Sequence, residues 1–426
     1  MTSTLDALQH STSPLPAWTR ANPASFGAWR ADQRRQCRLP VIAVAGTRGK
    51  STVVKMVDHI FRSAGLRTCI WTDDGVETNG RLADGELAPW AEAMRDLGDG
   101  ALDVAIQELD WQTVWAVGLP AGAFATVAVT NLCGNSDACL ARWDARVALD
   151  AYPSVLRAVA AGGALVVNAE DYAVAGPAET SHPGAFFIGQ SREAPLVKRH
   201  LEMGHPAGWV EGQSLKVGTS ARSAGLGDVG ALDFALQGAA GFEVINALIA
   251  ATVATSAGIP VDAVTSALAT FGTADRLLPG SFNLYRLHDR LAVVERPLPS
   301  WFLRPVLRAL TTRRRGRMIA LLAGVAEGSD DDLIEVGRLI GRTTDALVIA
   351  DDGMREDQWE LVKQGVALND LVPVMFRTPD QPRAIQRAMK MARSEDTMLF
   401  ISHRPGPILD LLHDRGHDPF TDALIA

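Results

Sequence analysis

The stretch from Val41 to Thr52, Val-Ile-Ala-Val-Ala-Gly-Thr-Arg-Gly-Lys-Ser-Thr, narrows most what this chain can fold into. An apolar run suited to a buried parallel strand breaks at a glycine turn and then opens a helix. That helix repeats its apolar residues at Val53, Val54, Val57, Ile60 and Phe61, a period near 3.6. Gly46 and Gly49 let backbone N–H groups come close to a polyphosphate, with Thr47 and Arg48 between them. The helix start adds partial positive charge, Lys50 reaches terminal phosphates, and Ser51 or Thr52 is placed to ligate Mg²⁺. The full phosphate-loop pattern has a glycine where this chain has Val44, so it is met in part. Gly-Lys-Ser-Thr nevertheless sits at the strand-to-helix junction that the mechanism needs, and the reading is a nucleoside triphosphate site.

At 426 residues the chain has room for two or three domains. Its 47% apolar and 21% charged residues are ordinary for a globular protein, which excludes wholesale disorder. A net charge of −8 argues against a general nucleic-acid binder, and the basic run Arg313-Arg314-Arg315-Gly316-Arg317 reads as a solvated loop. Cys37, Cys69, Cys133 and Cys139 show no CxxC spacing and follow no signal peptide, so reduced thiols in a cytoplasmic protein are expected rather than disulfides or zinc. No apolar run reaches the length of a membrane span.

Residues 1–37 form a polar, proline-dotted lead-in, in which Trp18, Phe26 and Trp29 pin a short helix onto the first domain. Strands are expected at Leu66–Thr72, Leu102–Glu108, Phe124–Thr130 and Ala164–Asp171, with a helix through Trp90 and Met94. Strands alternating with helices indicate a parallel α/β sheet whose ligands gather beyond the carboxyl ends of the strands; Lys50, Glu108, Asn131 and Asn168 all fall on that edge. Residues 184–235 suggest a small antiparallel piece, followed by a helix over Glu243–Ala257. Pro279-Gly280 opens a hairpin, Phe282–Leu287 and Leu291–Glu295. Strands at Met318–Ala323, Ala346–Ala350, Val372–Phe376 and Met398–Ser402 complete a second α/β domain. The expected organisation is a phosphate-loop-type parallel-sheet central domain over 38–275, then a Rossmann-like α/β domain over 276–426.

Taken together, the motifs resemble the Mur ligase superfamily, and most of all the Mur-type half of cyanophycin synthetase. The family's loop reads Gly-Thr-x-Gly-Lys-Ser/Thr without the earlier glycine, as Gly46 to Thr52 does. Thr130-Asn131 resembles its Thr-Asn motif, and Asn168-Ala169-Glu170-Asp171 its Asn-Ala-Asp-Asp. Gly241 through Asn246 resembles its helix start with paired asparagines. Pro279-Gly280-Ser281-Phe282-Asn283-Leu284-Tyr285 is similar to its Pro-Gly-Arg-Phe-Asn-Leu-Phe, and Asp330–Arg338 with Ala350-Asp351-Asp352 to a C-terminal segment.

The resemblance implies an ATP-dependent amide ligase that activates a carboxylate as an acyl phosphate and joins it to an amino-acid amine, with Mg²⁺ held by Ser51 and Glu108. The acceptor would be a carboxylate, including that of a poly-amino acid. Neither nucleic acid nor membrane is implied; a homo-oligomer or a partner synthetase is. Catalysis is assigned to Lys50, Glu108 and Glu295, and nucleotide contacts to Gly46–Thr52, Asn131, Asn246 and Arg276. The chain departs from the pattern where Gly134-Asn135-Ser136-Asp137-Ala138-Cys139 lacks the metal histidine, and where Glu295-Arg296-Pro297-Leu298-Pro299-Ser300 replaces Asp-Tyr-Ala-His-Asn-Pro. Stand-ins are Asp137 for the metal ligand, Glu295 for the joint carboxylate, and Arg276 or Arg296 for phosphate charge. By residue type alone, Asp137 reads as a helix N-cap, Asn131 and Asn168 equally as turn formers, and Trp111 and Trp115 as core or pocket wall. A nucleotide-binding pseudoenzyme or accessory subunit is the alternative.

Overall fold

A computed structural model describes residues 24–35, 38–272 and 278–414. The chain separates into two compact units. One holds the described residues up to Leu232 together with Phe242–Phe271; the other holds Asp233–Gly241 with the described residues from Gly272 onward.

Among the described residues the first unit's sheet has eleven strands: β1 (Val41–Ala45), β2 (Thr68–Thr72), β3 (Gly75–Thr78), β4 (Arg81–Leu82), β5 (Val104–Leu109), β6 (Phe124–Val129), β7 (Val159–Asn168), β8 (Phe186–Ile188), β9 (Ala207–Glu211), β10 (Ser214–Gly218) and β11 (Ser223–Asp228). Their order is β11-β10-β9-β8-β7-β6-β1-β5-β2-β3-β4. The run from β9 to β2 is parallel throughout, and the outer strands at both ends are antiparallel. Central strands such as Val41–Ala45 are continuous Val, Ile and Ala because helices bury both faces. Helix Gly241–Ser256 is apolar nearly all round, and every residue from Glu243 to Ser256 is buried.

The expected antiparallel piece at 184–235 is real for β9 to β11 but joins the main sheet through the parallel strand β8. Phe26 packs at 5.3 Å from Trp29 and 6.2 Å from Phe61, ring to ring, and Arg30 pairs with Asp103, fastening helix Ala24–Arg35 to this unit. Trp18 lies outside the described residues. Of the two tryptophans expected as core or pocket wall, Trp111 is core, whereas Trp115 is half exposed, edge-on to Trp143, and is not core. Helix Trp111–Val117 has only about two turns, and Trp111 and Val114 fill its inward face.

Among its described residues the second unit's sheet has six strands: β12 (Asn283–Leu287), β13 (Arg290–Glu295), β14 (Met318–Ala323), β15 (Ala346–Ala350), β16 (Val374–Thr378) and β17 (Thr397–Ser402). The order is β12-β13-β17-β14-β15-β16, parallel except for the β12–β13 hairpin.

The expectation of reduced thiols fails at one pair. Cys133 and Cys139 form a disulfide across a Cα–Cα distance of 5.6 Å. Asp171, almost fully buried, accepts the N–H groups of Leu132, Cys133 and Gly134 at 2.7, 2.9 and 2.7 Å. Gly134 and Asn135 then both take left-handed conformations, which turns the chain back and brings helix Asp137–Leu140 beside Cys133. Cys69 is free and buried, and burial pushes its thiol up to about 11. Cys37 lies outside the described residues. No helix among the described residues is long and apolar enough to cross a membrane.

His200 gives the fold a pH dependence. It is fully buried, with its ring 4.3 Å from Phe187 and 5.2 Å from His205. Burial, reinforced by the charge of His205, pushes its pKa down to about 4. The unfolded chain therefore binds the proton more readily than the folded one. Stability from this group is full above its ordinary value near 6.5 and is lost as pH falls toward 4, by on the order of 3 kcal/mol. Denaturant midpoints of the wild type should fall across that window more steeply than those of His200→Leu; parallel slopes would exclude His200 as the source.

Candidate active site

Strand β1 delivers the chain to Gly46 at the carboxyl edge of the parallel sheet. Gly46 has φ 145°, and a Cβ there would lie 1.9 Å from Thr130 Oγ1, so only glycine fits against the end of β6. Gly49 has φ 79° and stands at the N-cap of helix Lys50–Ser63, where no side chain among the described residues caps the helix. Helix starts of this kind, with first-turn amides left to partners outside the helix, suit an anion.

Two residues beyond β6 brace this loop. Thr130 Oγ1 donates to Arg48 O at 2.6 Å. Asn131 accepts Arg48 N–H on Oδ1 at 3.1 Å and donates from Nδ2 to Arg48 O at 2.9 Å, while its backbone carbonyl accepts Thr47 N–H at 2.9 Å. Both ends of the Asn131 amide are spent on the loop backbone, which makes Asn131 a positioning residue. Asn246, on the buried helix Gly241–Ser256, backs Gly49 so closely that a Cβ there would lie 2.6 Å from its Oδ1; its Nδ2 donates to Glu243 at 3.2 Å.

The chemistry-bearing cluster lies in front of the brace. Parallel pairing of β1 with β5 sets Val44 beside Glu108, near the tip of β5. Lys50 Nζ lies 3.0 Å from Glu108 Oε1, and Ser51 Oγ donates to Oε2 at 2.8 Å. The Glu108 side chain is only 4% exposed. Burial raises its carboxyl above the ordinary range, Lys50 pulls it back, and the charge of Asp73 adds to the rise. Among the described residues, the partner that Oε1 meets is the Lys50 ammonium. A buried carboxylate beside a hydroxyl, at a glycine turn that opens a helix, is a hard-oxygen donor pair of the kind Mg²⁺ takes together with phosphate and water ligands. Among the described residues no group of three or more His, Cys, Asp or Glu could hold a metal unaided.

Gly46 to Thr52, Glu108, Asn131 and Asn246 are all in the first unit. Glu295 is in the second unit, buried at the end of β13, where its Oε1 accepts Arg296 N–H at 3.0 Å. Arg296 N–H also donates to Gly280 O at 2.8 Å. Arg276 lies outside the described residues. Ser136, not Asp137, caps helix Asp137–Leu140, accepting Cys139 N–H at 3.2 Å; Asp137 is its first residue. Asn168 closes its own turn by accepting Glu170 N–H at 2.9 Å. Sequence reasoning missed Asp171, which caps helix Tyr172–Ser181 and gathers the loop after Asn131. An Asp just ahead of a helix was the legible signal.

Gly46→Ala should abolish nucleotide-dependent stabilisation, because the loop must move off Thr130, and should cost about 1–3 kcal/mol in the nucleotide-free protein. Melting curves with and without ATP test this; an unaltered nucleotide shift would show that the loop tolerates the methyl group.

No family profile matches the chain. It is 24% identical over 393 residues to cyanophycin synthetase of a Nostoc strain, covering 89% of this chain and 43% of that protein. It is 26% identical over 385 residues to the UDP-N-acetylmuramoyl-L-alanyl-D-glutamate–2,6-diaminopimelate ligase of a Chelativorans strain, covering 84% and 72%. Among solved structures, the bifunctional folylpolyglutamate synthase/dihydrofolate synthase of Yersinia pestis, complexed with AMPPNP and Mn ion, superposes with a TM-score of 0.61 at 16% identity, covering 96% of this chain and 97% of that one. The fold is that of the Mur ligase superfamily. This chain spans less than half the length of the cyanophycin synthetase it matches. Within the Mur ligase fold, its Gly46–Thr52 loop, Glu108 and the Thr130-Asn131 brace all belong to the first unit's sheet edge.

Proposed function

We propose that the chain is an ATP-dependent amide ligase of cyanophycin-synthetase type, activating a carboxylate as an acyl phosphate and coupling it to an amino-acid amine. The observation that carries this reading is the meeting of Lys50, Ser51 and Glu108 at an uncapped helix start braced by Asn131. Backbone amides from Gly46 to Thr52 would bind and orient the phosphates, and Lys50 would stand against the negative charge that grows during phosphoryl transfer. Mg²⁺, held by Glu108 and Ser51, would supply further neutralisation of that charge. Glu108 sets the charge of the site, and its burial among apolar strands keeps the field of Lys50 strong.

The test is mass spectrometry of products, with phosphate release, from the protein plus ATP, Mg²⁺, pooled amino acids and short aspartate peptides. A new amide formed with one phosphate released per bond supports the ligase. ATP binding with no acceptor-dependent phosphate release across the panel would overturn it in favour of a nucleotide-binding accessory subunit.

A further inference from the structure

The second unit contains a cavity of about 620 Å³ at the edge of its sheet opposite the carboxyl ends of the parallel strands. Its wall includes Arg290 and Leu291, where β13 begins, and Thr397, where β17 begins. Glu295 and Ser402 close those same strands at the far edge. Ligands of the principal site in a parallel sheet gather at the carboxyl ends, so this cavity belongs to other business.

Five arginines face three carboxylates around it. Arg314 is occupied, donating to Gly316 O at 2.7 Å and Thr343 O at 3.1 Å and pairing with Asp345. Arg313 donates to Gln237 O at 2.8 Å. Arg286, Arg290 and Arg315 make no ion pair or side-chain hydrogen bond among the described residues; Asp289 accepts the Ser394 hydroxyl and also lies in the field of Arg290. Leu236, Leu284 and Leu291 supply apolar wall. The rim is also conformationally strained: Leu236, Gln237 and Glu395 have φ of 48°, 52° and 62°. Non-glycine residues persist in that region where surrounding contacts fix them, and they collect at binding sites.

We propose that this cavity is a second ligand site, for a small phosphorylated molecule with an apolar body. The volume suits a small molecule. Guanidinium forks match phosphate oxygens two at a time. Three of them around one mouth fit a compact multivalent anion better than an acidic peptide, which spreads its charges about 3.3 Å per residue. The apolar wall receives the body of the ligand. Such a site in the second unit provides a place for a metabolite to bind without competing at the phosphate loop of the first.

The test uses the full chain carrying Lys50→Ala, with inorganic tripolyphosphate as probe in titration calorimetry. Binding is expected at one site, weakened at least tenfold by Arg286→Gln, Arg290→Gln and Arg315→Gln together. The same three changes in the chain with Lys50 intact should leave the ATP-dependent melting shift in place, which separates this site from the proposed ligase site. Should the glutamine set fail to fold, the corresponding lysine set keeps the charges, loses the forks, and should still weaken the probe. Absence of tripolyphosphate binding to the Lys50→Ala chain, binding indifferent to the arginine changes, or tighter binding of hexa-aspartate would each overturn the proposal.

Discussion

Lys50→Ala is expected to abolish the ATP·Mg²⁺-dependent rise in melting temperature and to cut acceptor-dependent phosphate release by at least about 10²-fold. At nucleotide concentrations 100 times the dissociation constant, binding stabilises the folded state by about 2.7 kcal/mol; the variant should gain almost none of it. The substitution has a second consequence in the nucleotide-free protein. Glu108, 4% exposed, would lose the cation 3.0 Å away, and its already raised carboxyl would rise further. A carboxyl whose folded pKa exceeds its unfolded value gains stability as pH falls through the folded pKa. Lys50→Ala should therefore be destabilised more at pH 7 than at pH 5. Adding Glu108→Gln should restore the loss at pH 7 without restoring the nucleotide response, which separates the cost of an unpaired buried charge from the loss of a phosphate contact. If the single variant still showed the full ATP shift, the phosphate-loop reading would be wrong.

Glu108→Gln alone should leave nucleotide affinity within a few-fold of wild type while lowering phosphate release by about 10²–10³-fold. The loop amides, Lys50 and the Asn131 brace all survive the change, so ground-state binding has little to lose. In the proposed mechanism, what disappears is the negative charge offered to Mg²⁺, a contribution that would grow with the charge of the transition state. Isothermal titration with a non-hydrolysable ATP analogue, beside a phosphate-release assay, measures the two quantities independently. Equal turnover in wild type and variant would remove Glu108 from the chemistry, and parallel losses in affinity and turnover would make it a nucleotide-binding residue instead.

The parallel sheet was legible because its strands are short apolar runs closed by turn-forming residues. Val41–Ala45, Val104–Leu109 and Met318–Ala323 each lie within about two residues of where apolar patterning sets them. Lys50 and Glu108 were legible for the same reason: a strand tip and a helix start, once parallel, must share an edge. Features built by partners distant in sequence were not. Strands β3 and β4 carry few apolar residues, Val76 being the one fully buried, and they pair as an antiparallel flap that no alternation announces. The Cys133–Cys139 bond depends on Asp171, more than thirty residues away, to fold the intervening loop. Likewise, nothing in Thr-Asn reveals that the asparagine amide is consumed by the backbone of Arg48.

The short piece Asp233–Gly241 packs with the second unit although the chain before it and the helix after it pack with the first. The polypeptide thus passes from one unit to the other three times, so no single cut divides it into two self-sufficient halves. A fragment stopping at Phe271 would carry this piece as an orphan strap, its partners missing. A fragment starting at Gly272 would lack Leu236 and Gln237 from the cavity rim and would leave the Arg313 guanidinium without the carbonyl it binds. During synthesis, the strap emerges from the ribosome well before the strands that will hold it, and the second unit can reach its final packing only by reaching back to chain already made.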